Sequence, residues 1–296
     1  MTVAEMLEGA ARRIEAALHL ERREARLEAR VLAARALEVA PAWLLGHDRD
    51  ELRPAQAAAL ESLVARREAG EPVAYILEER EFHGHLFRVT RDVLIPRPDT
   101  ERLVEAALER GPTQGPARAL DLGTGSGCIA ISLALARPDW DVWAVDRSPA
   151  ALAVARDNAR HLGARVSFQE GDWFVGLEGQ AFDLIVSNPP YVAAADFHLV
   201  QGDLRHEPRS ALASGPEGLD DLIRLIEGAA EHLTEEGWLM LEHGCHQGDA
   251  CRVLLNQQNF RKVSTLADLA GLPRVSLGCR PSKGCRESLQ HTRIHT

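Results

Sequence analysis

The 296-residue chain has no cysteine framework. Its five cysteines, Cys128, Cys245, Cys251, Cys279 and Cys285, are odd in number, and none forms a Cys-x-x-Cys pair. That argues against a disulfide-stapled scaffold and a cysteine zinc site; reduced thiols and no metal are expected. An apolar run long enough to cross a bilayer is also missing, so no membrane partner is expected. The N-terminus has no basic stretch leading into a signal-type hydrophobic segment, and the expected location is cytoplasmic. Positive charge is not in excess. The net charge of -10 opposes broad binding to a nucleic-acid backbone, and no sequence-specific nucleic-acid partner is expected. There is no internal repeat. What the chain does have is apolar substance: 45% hydrophobic residues supply a sizeable core and weigh against general disorder. Its length suits one large domain or two smaller ones.

Residues 1–72 read as a helical domain. Leu7, Ala11, Ile14 and Leu18 share a helical face. A second helix over residues 25–37 buries Val31 and Leu32. Pro41 opens a short turn with Trp43 and Leu44. Asp48 or Asp50 caps the next helix, with Pro54 at an early helical position. Ala57, Leu60, Val64 and Arg67 continue the pattern. The charges here suit either a solvated surface or a module that grips a protein. Residues 73–95 change character: Tyr75, Ile76, Phe82, Phe87 and Val89, interrupted by Gly84, read as a β-hairpin linker between two domains. In the following segment Pro96 and Pro98 hold the chain extended, and Asp99 or Thr100 caps a helix containing Leu103, Val104, Ala107 and Leu108. Arg97, Asp99 and Glu101 are either linker charges or a pocket wall.

From residue 117 strands alternate with helices. Seven strands are expected, at residues 119–122, 142–145, 166–168, 182–186, 238–241, 260–265 and 275–277. This alternation points to an open α/β sheet, and residues 96–279 are assigned to that domain. Residues 280–296 are basic and polar, and are expected to form a disordered tail whose His291 and His295 make no metal site.

Chemistry gathers at the strand ends. Asp121-Leu122-Gly123-Thr124-Gly125-Ser126-Gly127 joins a strand to a helix through small residues. Their missing side chains serve a tight turn, or let a ligand approach the backbone at a helix N-terminus. The spacing is Gly-x-Gly-x-Gly, not the nicotinamide Gly-x-Gly-x-x-Gly, and no Gly-Lys-Ser/Thr phosphate loop follows. Asp146 ends the second strand. It can accept the two ribose hydroxyls of an adenosine-containing ligand, or cap the helix at Ser148-Pro149. Asp172 and Trp173 follow the third strand: Asp172 or the neighbouring backbone can hold an adenine amino group, and Trp173 is either an aromatic wall for it or a core ring. After the fourth strand comes Asn188-Pro189-Pro190-Tyr191. Consecutive prolines stiffen this loop and expose a carboxamide and backbone carbonyls, whether as a strand-ending turn or as a set of acceptors.

These strand ends resemble the class I methyltransferases that use S-adenosylmethionine. The resemblance implies a Rossmann-like seven-stranded core with the last strand antiparallel. It also implies S-adenosylmethionine as cofactor, held by Asp121, Gly123, Thr124, Gly125, Gly127, Asp146, Asp172, Trp173 and Asn188, and no metal. Asn188-Pro189-Pro190-Tyr191 beside that cofactor resembles enzymes that methylate planar amino or amide nitrogens. Ile95-Pro96-Arg97-Pro98-Asp99-Thr100-Glu101, Asn188-Pro189-Pro190-Tyr191-Val192, Glu207-Pro208-Arg209, Ala211-Leu212, Gly215, Gly218-Leu219, Glu242, Gly244 and Gln247 are similar to the bacterial release factor glutamine methyltransferases, the HemK or PrmC family.

That resemblance implies methylation at N5 of the glutamine in the Gly-Gly-Gln motif of peptide chain release factors, with the helical front domain and hairpin helping to recognise the substrate; a monomer is expected. Asn188, Pro189 and Tyr191 are the implied catalytic residues. Pro190, Arg97, Glu101 and Phe82 join them in substrate binding, and Glu207-Pro208-Arg209 anchors a loop over the site or forms a structural ion pair. One departure is Glu78, where the family commonly has glycine; it is expected to alter the hairpin turn. The competing readings are an adenine N6 DNA methyltransferase and a noncatalytic S-adenosylmethionine-binding protein.

Overall fold

The structure is a computed structural model that describes residues 1–282. Cys285, His291, His295 and the expected disordered tail beyond Ser282 lie outside the described residues. The chain divides into two units: Met1–Glu79 with Val200–His206, and Arg80–Leu199 with the chain from Glu207 onward.

The first unit is helical. α1 (Val3–Leu18) starts at a capping box, in which Thr2 accepts from the Glu5 backbone and Glu5 accepts from the Thr2 backbone. α2 (Arg22–Leu37), a 3-10 turn at Pro41–Leu45 and α3 (Pro54–Glu68) come next. Ile14, Leu32, Leu60 and Val64 meet in one apolar core. The expected cap at Asp48 or Asp50 does not start α3. Arg53 holds that position, Pro54 succeeds it, and the Arg53 N–H donates to Gln56. The Asp48 and Asp50 carbonyls instead accept from Ala4 and Val3, two of the unpaired first-turn donors of α1.

Arg67 is not surface charge: it is 4% exposed, pairs with both Glu28 oxygens at 2.8 and 3.0 Å, and reaches Asp203 at 2.9 Å. These pairs belong with the clustering of Val200–His206, a segment far along the chain, among the helices.

A second correction concerns residues 73–77, expected as strand. They form the short helix α4 (Val73–Leu77). Glu78 closes that helix in the left-handed conformation, φ +60°, so the departure at Glu78 falls on a helix end and not on the hairpin turn. The hairpin itself is β1 (Glu79–Phe82) and β2 (His85–Arg88). Its turn is His83-Gly84, both at positive φ, which matches the right-handed strand twist.

After the hairpin, the second unit continues with α5 (Glu101–Arg110). Next come β3 (Arg118–Leu122), α6 (Cys128–Ala136), β4 (Asp141–Asp146) and α7 (Pro149–Leu162). They are followed by β5 (Ser167–Glu170), β6 (Phe182–Ser187), α8 (Asp220–His232) and β7 (Leu233–Glu242). α9 (Gly248–Gln257), β8 (Arg261–Ala267) and β9 (Pro273–Cys279) complete it. The seven-stranded sheet has the order β5-β4-β3-β6-β7-β9-β8. β3 to β7 run parallel, and β9 is antiparallel to both its neighbours.

One apolar layer gathers Leu103, Ile131, Val142 and Val186, and the other gathers Leu120, Ile185, Leu225 and Leu239. The alternation along each strand divides neighbouring residues between these layers. Strand order reverses between β3 and β6. Open α/β sheets place their ligands at such a switch point, outside the carboxyl ends of the strands.

Candidate active site

A cleft of about 260 Å³ opens at those strand ends, lined by Gly123, Gly125, Asp146, Trp173, Asn188 and Pro190 among others. The turn after β3 is drawn over the sheet by two bonds, Gly123 and Thr124 N–H to the Val145 carbonyl at 2.8 and 3.0 Å. Gly127 must be glycine. Its φ is +83°, and a Cβ would lie 2.8 Å from Ile131 and 3.1 Å from Ala155.

Asp121 does not line the cleft. It is fully buried, and its Oδ2 accepts from the Thr124 hydroxyl at 2.6 Å and the Ala130 N–H at 3.3 Å. It thus organises the turn from beneath. Its Oδ1 has no hydrogen-bond partner among the described residues, and burial pushes its carboxyl up to about 7.

Asp146 reaches the cleft and supports its wall. Oδ2 accepts from the Gly125 N–H at 2.8 Å and Oδ1 from the Ser148 N–H at 2.9 Å. Each carboxylate oxygen has a second lone pair to offer. The helix-capping side chain is Ser148, which accepts from Ala151 at 3.2 Å. Asp172 is half exposed at the rim and pairs with Arg224 at 2.8 Å. Trp173 donates from Nε1 to Asp221 at 3.1 Å, and its ring would stand 3.2 Å from a Cβ at Gly123. Glycine therefore keeps the space between ring and turn open.

The Asn188-Pro189-Pro190-Tyr191 loop is held from several sides. Asn188 Nδ2 donates to Thr100 Oγ1 at 3.1 Å. Tyr191 donates its hydroxyl to Glu242 Oε1 at 3.2 Å. Burial, followed by the Glu242 charge, raises the Tyr191 hydroxyl well above its ordinary range and keeps it protonated. Gln247 clamps the backbone: its Nε2 donates to the Tyr191 and Gly218 carbonyls at 3.0 and 3.1 Å, and its Oε1 accepts from Gly244 at 2.9 Å. Arg97 pairs with buried Glu207, which also accepts from the Ile95 N–H at 3.0 Å. This makes Glu207 an anchor for the Arg97 segment. Burial pushes the Cys128 thiol up to about 12, so no nucleophile is available there.

Two expected substrate residues stand elsewhere. Phe82 is wholly buried in the core, edge-on to Phe87 with ring centroids 6.1 Å apart, and does not line the cleft. Glu101 does not line it either. Its carboxylate accepts from the His83 N–H at 3.0 Å and props the hairpin turn. Pro189 is buried between Asn188 and Pro190 in the loop sequence, and it is Pro190 that reaches the cleft. Sequence reasoning missed Thr100 and Glu242 as partners of this loop. Periodicity and spacing carry no signal for contacts between segments 88 and 51 residues apart.

Two family patterns match the chain: "PrmC N-terminal domain" over residues 5–77 and "Methyltransferase small domain" over residues 100–218. A release factor glutamine methyltransferase from Bordetella pertussis is 54% identical over 254 residues, covering 86% of this chain and 94% of its own. The chain belongs to the release factor glutamine methyltransferase family. The Escherichia coli member is 44% identical over 237 residues, 80% of this chain and 85% of that one. A crystal structure of a methyltransferase from Pyrococcus furiosus shares the fold, with a TM-score of 0.52 at 18% identity over 74% of this chain and 98% of that one.

The cofactor of this class I methyltransferase family is S-adenosylmethionine, and the residues present fit it. The glycine turn leaves backbone accessible, Asp146 keeps acceptor capacity for hydroxyls, and Trp173 presents a ring at the cleft wall.

Proposed function

We propose that this chain methylates the N5 side-chain nitrogen of the glutamine in the Gly-Gly-Gln motif of peptide chain release factors, in the cytoplasm. The observation that supports this most is the commitment of Asn188 Nδ2 to Thr100. With its donor side engaged, the carboxamide has an oxygen left to offer, and Asn188 lies at the cleft. A primary amide has two N–H donors and a nitrogen whose lone pair is delocalised. Asn188 Oδ1 accepts one N–H and the Pro189 carbonyl the other. Pro189 has no N–H of its own, so the loop presents acceptors where a donor would repel the substrate.

S-adenosylmethionine, when bound, supplies an electrophilic methyl group. The chain's residues hold the target nitrogen in line and stabilise the positive character it gains as its bond to carbon forms. Tyr191 packs beside the planar group and keeps water away. The glycine turn, organised from beneath by Asp121, holds the methionine part, Asp146 the ribose, and Asp172 with Trp173 the adenine. Arg97 borders the substrate end. In this reading residues 1–72 recognise the release factor, the hairpin region links, and residues 96–279 catalyse.

The test is methyl transfer from labelled S-adenosylmethionine to purified unmethylated release factor and, in parallel, to unmethylated DNA, with the modified atom mapped. Label on the Gly-Gly-Gln glutamine is expected. Methylated adenine with an unmodified release factor would reject the reading, as would cofactor binding without transfer to either.

A further inference from the structure

Three charged residues surround Thr100 in the segment Arg97-Pro98-Asp99-Thr100-Glu101. The chain makes one 3-10 turn there, Pro98–Thr100, closed by the Thr100 N–H on the Arg97 carbonyl at 3.1 Å. A turn this short has no helical ladder to hold it, so its setting depends on its side chains. Those side chains leave for three different elements. Arg97 pairs with buried Glu207. Asp99 pairs with Arg274 of β9 at 3.3 Å. Glu101 accepts from the His83 N–H of the hairpin turn at 3.0 Å. Thr100 stands among these ties, buried, and its Oγ1 accepts from Asn188 Nδ2 at 3.1 Å. The Asp99 pair is not needed by the strand it reaches, because Arg274 already has a carboxylate: Asp268 accepts from its Nε and Nη2 at 3.2 and 3.0 Å. Nor does Asp99 line the cleft. Its side chain is 47% exposed, so the pair adds little to global stability. Its effect is local, on the residue next to Thr100.

We infer that Asp99, held by Arg274, is a positioning residue for methyl transfer: it completes a three-point mount that sets Thr100 against the Asn188 carboxamide. Arg97 and Glu101 restrain the turn at its two ends. Two end ties leave the turn able to rock about the line that joins them. A third tie between them, at Asp99, removes that freedom. Rocking displaces Thr100 Oγ1, since Thr100 also lies between the end ties. Asn188 Nδ2 then loses its acceptor, and the carboxamide can turn about its Cβ–Cγ bond. That rotation exchanges oxygen for NH₂ at the cleft, so a target N–H meets a donor in place of an acceptor. A misplacement of about an ångström at a reacting group costs as much as roughly a hundred-fold in rate, and a loosened mount costs part of that.

This inference rests on Asn188 as the residue that receives the target amide, and the experiment separates the two. Asp99→Ala, Asp99→Glu, Thr100→Val, the double variant Asp99→Ala/Thr100→Val, Arg274→Met and Asn188→Ala would be compared for release factor methylation. For each, kcat and KM are resolved, and S-adenosylmethionine affinity and melting temperature are recorded. Asp99→Ala should lower kcat by roughly five-fold, with KM and cofactor affinity changed less than about two-fold. Its melting temperature should stay within about 2 °C of wild type. Asp99→Glu, which restores a carboxylate, should return most of the rate, and Arg274→Met should be as slow as Asp99→Ala. The double variant should be no slower than Thr100→Val alone, because Asp99 acts through Thr100. Wild-type kcat in Asp99→Ala overturns the mount. So does a double variant slower than Thr100→Val by the full Asp99→Ala factor, or an Asp99→Glu enzyme as slow as Asp99→Ala. If Asn188→Ala is slow while Asp99→Ala is not, the mount alone fails. If Asn188→Ala is itself unimpaired, the reading of the acceptor site fails and the mount with it. The Asp99 and Thr100 variants carry the test if Arg274→Met, which strands buried Asp268, does not fold.

Discussion

At the scale of single residues, the cleft is lined by side chains whose hydrogen-bonding capacity is partly taken by the fold, and the proposed function gives the remainder to cofactor and substrate. Asn188 gives its nitrogen to Thr100, and Asp146 gives one lone pair of each oxygen to the backbone. Removing the Asn188 acceptor should cost transfer far more than cofactor binding. For Asn188→Ala we expect kcat to fall by roughly a hundred-fold, with S-adenosylmethionine affinity nearly unchanged by calorimetry. An unchanged rate at equal affinity would remove Asn188 from the chemistry. That Asn188, Asp146 and the glycine turn gather at one cleft was legible in sequence, because small and polar residues at successive strand ends face the same edge of an open sheet. Glu101 and Phe82 were legible only as types. Their side chains turn to the hairpin and the core, and nothing local distinguishes an aromatic that packs from one that lines a pocket.

At the scale of elements, the hairpin region shows where local pattern misleads. Residues 73–77 are β-rich in composition, yet they make a helical turn that buries Tyr75 and Ile76. Pro72 precedes them at a position suited to helix entry, and Glu78 ends them with φ +60°. A left-handed residue with a Cβ carries strain of about 1–2 kcal/mol. Glycine avoids that strain and loses part of the gain to its greater freedom in the unfolded chain. Glu78→Gly should therefore stabilise the protein by up to about 1 kcal/mol, a rise of a few degrees in melting temperature. A lower melting temperature would show that the Glu78 side chain contributes more than its backbone costs. The strands of the sheet were better predicted, since the central ones, β3, β6 and β7, bury apolar residues on both faces. Their ends shifted by a few residues; β7 extends from Leu233 where the pattern began at 238.

At the scale of the whole molecule, two buried carboxyls shape the dependence of stability on pH. Burial raises Asp121 and Glu242 to about 7, from ordinary values of 3.8 and 4.5. Between about 4 and 7 the folded chain therefore holds protons that the unfolded chain has released. The stability this confers is complete below their unfolded values and is lost as pH rises through about 7. Glu61, Glu68 and Asp268, held below their ordinary values by hydrogen bonds, act in the opposite sense and weaken the fold as pH falls below about 4. Melting temperature without cofactor should thus decline from about pH 5 to about pH 7 and level off above, and the decline should be shallower in Glu242→Gln. An equal or steeper decline in that variant would show that Glu242 is not raised.

The sequence by itself determined the alternation of strands and helices, the glycine turn, the acidic strand ends and the Asn-Pro-Pro-Tyr loop. Each is a local pattern, governed by backbone geometry and the partition of apolar from polar side chains over a few residues. Only tertiary structure decided that Val200–His206 joins the helices through Arg67 and Asp203, that Glu207 holds Arg97, and that Thr100 holds Asn188 while Glu242 holds Tyr191. Those contacts join charges and hydroxyls from distant parts of the chain. Buried polar groups must find partners, but which partner each finds depends on strand order and register, and no local pattern specifies that.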